Sequence, residues 1–139
     1  MNEIKRYKWL PIVQIITFIG ITGFWIYFFL VENVPSANNK IYLAYERSFP
    51  IPDLLWINLL LLLSAFWLRK GDQRGIISTI ASGGALVFLG LVDFSFNFQQ
   101  GIYAKSIEDG IMNGFINSFC LIFGLLSIWI GWKLFVLRG

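Results

Sequence analysis

The residues able to do chemistry in this 139-residue chain are few, and they gather in three short stretches. Glu46, Arg47 and Asp53 occupy the first; Asp93 and Asn97 stand one helical turn apart in the second; Tyr103, Glu108, Asn113 and Asn117 follow in the third. An arginine binds a carboxylate through two parallel hydrogen bonds, and two carboxylates sharing one cation can be held at different pKa values, as general acid and base chemistry requires. Asp93 and Asp53 are the candidates for that role, with Arg47 and Asn97 orienting a substrate. The same residues also read as a structural cap, in which Asn113 and Asn117 satisfy loop carbonyls that cannot reach water. Other chemistries are excluded by composition. With no His and a single Cys, intramolecular disulfide redox, His-ligated haem and multi-Cys/His zinc sites are ruled out. Cys120 lies mid-run without a visible activator and reads as inert packing. No loop has EF-hand spacing, and we assign neither metal nor cofactor.

The elements that must position these residues are apolar. The chain is 57% hydrophobic and 14% charged, against about 25% charge in an average soluble domain. Its 14 Phe, 6 Trp and 5 Tyr bring more apolar surface than one small core can hide, so lipid must solvate much of it. Four apolar runs cover about residues 9–31, 51–69, 76–96 and 111–137. A bilayer core of ~30 Å needs ~20 helical residues, so each run can span it, whereas barrel strands would be about half as long and would alternate. The expectation is an all-α, four-transmembrane-helix antiparallel bundle forming a single integral membrane domain over residues 1–139. The basic start Lys5, Arg6 and Lys8 resembles a secretory signal. However, a run of about 23 residues exceeds the ~7–15 of a signal's apolar region, and Val34-Pro35-Ser36-Ala37 is a poor cleavage site, so the segment reads as a retained helix.

The connectors are unequal. About 18 residues separate the first two runs and about 14 the last two, while Lys70 to Gly75 forms a tight hairpin with Gly71, Asp72 and Gly75 as turn residues. Pro50 and Pro52 mark a helix start, with Asp53 at the positive end of its dipole. Within the third run Thr79, Ser82, Leu86, Gly90, Asp93 and Asn97 advance by three or four residues, as do Asn113, Asn117, Cys120, Gly124, Ser127 and Gly131 in the fourth. Stripes of small and polar residues are the usual helix seams in lipid. Gln14 and Thr17 in the first run, and Asn58 and Ser64 in the second, are its polar interruptions. Aromatic residues near span ends, including Tyr7, Trp9, Trp56 and Trp132, read as interfacial anchors.

The run Tyr45-Glu46-Arg47-Ser48-Phe49-Pro50-Ile51-Pro52-Asp53 and the run Leu89-Gly90-Leu91-Val92-Asp93-Phe94-Ser95-Phe96-Asn97, followed by Gly101-Ile102-Tyr103, resemble a set of small four-helix prokaryotic membrane proteins. The likeness covers roughly Tyr45 to Asn117. It implies a four-helix fold and points at the same polar residues, and it supplies no reaction. Three classes of function stay open. The leading one is a membrane protein that binds a lipid, an apolar ligand or a partner protein through this polar layer. The second is a small intramembrane enzyme acting on a lipid-soluble substrate by carboxylate chemistry. A proton- or cation-coupled transporter is third, because coupling sites normally lie near the midplane and these carboxylates lie toward one end.

Charge sorts along this topology. With the N-terminus in the cytoplasm, Lys5, Arg6, Lys8, Arg69, Lys70, Arg74, Lys133 and Arg138 lie inside with only Glu3 and Asp72, a net of +6. Lys40, Arg47 and Lys105 lie outside with Glu32, Glu46, Asp53, Asp93, Glu108 and Asp109, a net of −3. The expected location is the plasma membrane, multi-pass, with both termini cytoplasmic. Membrane lipids are the expected partners, with a second copy or a partner protein also open. The whole-chain charge of +3 is too small to point to nucleic acid. In intact cells, a cysteine introduced at Ala37 is expected to react with an impermeant maleimide and one at Asp72 is not; the reverse pattern overturns the orientation.

Overall fold

The computed structural model describes residues 2–138. It is all-helical, at 85% helix, with no strand among the described residues. A short helix α1 (Asn2–Arg6) leads into α2 (Trp9–Tyr27), which continues through a π turn over Phe28–Glu32. Helix α3 (Lys40–Glu46) follows in the first connector, and a second π turn, Pro52–Ile57, opens α4 (Asn58–Arg69). Helices α5 (Arg74–Gln99) and α6 (Ile107–Arg138) complete the chain. Four segments are long and apolar enough to cross a membrane: Trp9–Glu32, Pro52–Arg69, Arg74–Gln99 and Ile107–Arg138. Each carries large apolar side chains exposed along its length, such as Ile16, Leu62, Phe88 and Phe115. The described residues fall into two compact units, one ending at Ser78 and one beginning at Thr79.

In the first unit α2 packs along α4, and two side-chain hydrogen bonds fix an antiparallel register. Thr22 meets Asn58 and, further along α2, Trp25 meets Asp53. The buried positions on α2 are Leu10, Gln14, Thr17 and Trp25, and those from the second π turn onward include Asp53, Ile57, Leu61, Ser64 and Leu68. The buried Leu10, Gln14 and Thr17 of α2 thus run antiparallel to the buried Leu61, Ser64 and Leu68 of α4. Helix α3 covers the end of this pair. Its Leu43 is buried with Trp25 and Phe28, and Ile21, Phe24, Tyr42 and Phe49 pack around them. The connector is therefore ordered around one fully buried side chain, Leu43.

The expected hairpin after α4 is present. Gly71, at φ 71°, ends the helix. The Asp72 N–H donates to the Trp67 carbonyl and the Gly71 N–H to that of Leu68, the double hydrogen bond of a Schellman ending that only a left-handed residue permits without strain. The Asp72 carboxylate then accepts from the Arg74 N–H and guanidinium.

In the second unit α5 and α6 approach through glycine. A Cβ at Gly83 would stand 2.7 Å from the Gly124 carbonyl oxygen, and one at Gly124 would stand 2.8 Å from that of Gly83. Both small and polar stripes are buried along this seam, with Asp93 and Asn113 half-buried at one end. The helices extend beyond their apolar runs, so the last connector is shorter than expected. Gly101, at φ 66°, follows α5. Ser106 caps α6: its hydroxyl accepts from the Asp109 N–H and donates to the Asp109 carboxylate, a reciprocal cap that starts the helix before the apolar residues begin. A Gly83→Ala protein is expected to lose roughly 1–3 kcal/mol of stability, the usual scale of overpacking. Gly84→Ala, whose Cβ meets nothing within 4 Å, should lose none. Denaturation in detergent micelles measures both.

Candidate functional site

The polar centre of the first unit is built by the entry into α4. Pro50 and Pro52 lack the N–H groups that a first helical turn leaves unpaired, so the chain can turn inward here. The Asn58 N–H then donates to the Asp53 carbonyl five residues back. In an α-helix residues five apart point ~140° away from each other; the wider π turn brings them onto one face. Both consequently reach α2. The Trp25 indole donates to the Asp53 carboxylate at 3.0 Å, and the Asn58 amide donates to the Thr22 hydroxyl at 3.0 Å. Thr22 passes the chain on to the Phe18 carbonyl at 2.8 Å. Asp53 is 5% exposed and Asn58 3%, and Asn58 Oδ1 accepts no hydrogen bond. A buried acceptor left in that state costs about 1–3 kcal/mol.

Around α3 the polar groups are shallower. The Tyr42 hydroxyl donates to the Glu32 carboxylate at 3.0 Å, and Arg47 Nε donates to the Asn33 side-chain oxygen at 2.8 Å. Glu46 ends α3 half-buried, and Arg47 is exposed. These contacts tie the connector to the end of α2.

The second unit has its own polar end. The Asn117 amide donates to the Tyr103 hydroxyl in a short hydrogen bond. The Tyr103 carbonyl rests on Gly110, where a Cβ would come within 2.6 Å of it, and the ring lies 6.1 Å from that of Phe94. Asn97 and Asn117 are buried and Asp93 is half-buried. Asn113 donates to the Asp109 carbonyl of its own helix at 2.9 Å, and Glu108 is exposed in the first turn. Among the described residues, no group of three or more carboxylate or thiol side chains is placed to hold a metal ion.

Of the nine residues singled out by sequence, Glu46, Arg47 and Asp53 belong to the first unit and the other six to the second. Tyr103 and Asn117 meet directly. The partners of Asp53 and Arg47, namely Trp25 and Asn33, were not singled out, nor was Thr22. One signal existed for Trp25. It lies well inside an apolar run, and a buried indole N–H requires an acceptor; Asp53 is the acid near the matching end of the next span.

Trp25→Phe keeps most of the ring and deletes the donor. It is expected to lose about 1–3 kcal/mol, the scale of an abandoned buried acceptor. Adding Asp53→Leu to Trp25→Phe should recover part of that loss, since an apolar pair leaves nothing unsatisfied. Unfolding monitored in micelles decides it; equal stability of Trp25→Phe and the parent protein would show that the hydrogen bond contributes nothing.

Comparison of the chain with protein-family models, curated proteins and solved structures gives no match.

Proposed function

We propose that the chain is a four-span integral protein of the cell membrane with both termini cytoplasmic, which binds a lipid or another apolar ligand through a polar head group. Binding takes place at the outward ends of the spans. The observation that carries this reading is the buried Asn58 Oδ1, an acceptor without a donor, beside the Asp53 carboxylate and beneath the cap formed by Trp25, Phe28 and Leu43. A carboxylate accommodates several donors besides one indole N–H. A head group bearing N–H or O–H donors would complete Asn58 and add to Asp53, while its apolar part stays among the exposed side chains of α2 and α4. Exclusion of water by the aromatic cap strengthens each such hydrogen bond. Glu46 and Arg47 are proposed to serve this polar end of the first unit, and Asp93, Asn97, Tyr103, Glu108, Asn113 and Asn117 a polar end of the second unit's own. The surplus of cations at the opposite ends of the spans supports the orientation.

Native mass spectrometry of protein extracted in mild detergent tests the proposal. The expected result is a co-purified small molecule on the parent protein, lost from Asp53→Asn and Asn58→Leu variants that still reach the membrane in normal amounts. A protein released free of any adduct, or variants that keep every adduct of the parent, overturns it. A protein partner in place of the small molecule would transfer the same surface to protein recognition, and a chemically altered ligand would reveal turnover.

A further inference from the structure

The first unit has a second polar end, remote from Asp53. Since α2 and α4 run antiparallel, the residues before α2 and after α4 emerge at the same end. They are Lys5, Arg6 and Lys8 on one side and Arg69, Lys70 and Arg74 on the other, all exposed. Helix α1 is held there by Ile4, which is buried, and by hydrogen bonds from the Tyr7 N–H to the Ile4 carbonyl and from the Leu10 N–H to that of Tyr7. Its cations lie at the same end of the unit as the hairpin. Only Glu3 and Asp72 oppose them, and Asp72 is committed to Arg74 at 2.7 Å. Lys5, Arg6, Lys8, Arg69 and Lys70 make no ion pair among the described residues.

The surface below these cations is apolar and ordered. Lys70 Nζ sits 4.1 Å from the centre of the Phe66 ring, and the Arg74 guanidinium 4.9 Å from that of Trp67. Phe66, Leu62 and Leu59 then descend one exposed face of α4 at helical spacing. A cationic head over an apolar stripe has the chemistry of one molecule, an anionic phospholipid. A free phosphate would use the cations and leave the stripe bare.

We infer that this end of the first unit binds anionic phospholipid, with the phosphate on Arg69 and Lys70 and an acyl chain along Phe66, Leu62 and Leu59. The site is independent of the outward polar layer, because none of its residues belongs to that layer.

The test is native mass spectrometry of the full-length protein in micelles doped with equal amounts of phosphatidylglycerol and phosphatidylcholine. The parent protein should retain phosphatidylglycerol preferentially, and the preference should fall as ammonium acetate concentration rises. Arg69→Gln and Lys70→Gln should each reduce it about fivefold, the effect of one cation near an anionic lipid surface. Lys105→Gln, in the second unit, should not change it. Asp72→Asn, which releases Arg74 while keeping an amide oxygen for the turn, should raise retention. That gain cannot come from misfolding. Equal retention of the two lipids, a preference insensitive to salt or to these substitutions, or equal displacement by glycerol phosphate at the lipid's own concentration overturns the inference.

Discussion

A carboxylate cannot be left bare inside an apolar helix pair, and in the first unit the Trp25 indole N–H meets that constraint at Asp53. Much of the local architecture follows from meeting it. The contact sets which turn of α2 faces which turn of α4, so that Leu10, Thr17, Leu61 and Leu68 are buried together on the seam. It also holds the Trp25 ring where Phe28 and Leu43 can pack on it. Helix α3 is too short to be stable alone. It gains its stability from Leu43, and so, through Trp25, from the acid that the ring serves.

The π turn over Pro52–Ile57 answers the same constraint at one remove. Asp53 and Asn58 both need partners on α2, and α-helical geometry would let only one of them find one. The wider turn reconciles them with Trp25 and Thr22. It leaves Asn58 Oδ1 among the buried polar atoms of this unit that accept no hydrogen bond. Further along the same seam Thr17 and Ser64 need no partner across it, because they donate back to the Val13 and Leu60 carbonyls of their own helices.

Which parts were legible in sequence follows from the same geometry. The apolar runs and the small-residue stripes of α5 and α6 depend on regular periodicity, and the buried Thr79, Ser82, Gly90, Asn117, Gly124 and Ser127 appear where that period puts them. The hairpin was legible through Gly71 because a left-handed residue leaves a chemical signature. The π turns were not, because they break the period on which the reading depends: Asp53 and Asn58, five apart, look like residues on different faces. Helix α3 was hidden for another reason, its one buried side chain giving no pattern at all. Arg47 shows the limit for charged residues. Its type announces a carboxylate, yet the structure gives its Nε to Asn33 in the same connector. An exposed arginine loses little by taking a neutral acceptor, so charge alone could not choose between them.

The two units also hold their helices by different physics. Around Gly83 and Gly124 the backbones themselves touch, and contact of this kind depends on shape, without regard to charge or salt. In the first unit α2 and α4 are joined by specific donors and acceptors deep among apolar side chains, where a lost partner cannot be replaced by water. A shape-based seam tolerates any polar substitution that is small enough, but a hydrogen-bonded one tolerates only those that keep the pairing. Neither kind of seam accounts for every polar atom, since Asn58 Oδ1 in the first unit and Ser127 Oγ in the second are both buried without a hydrogen-bond partner.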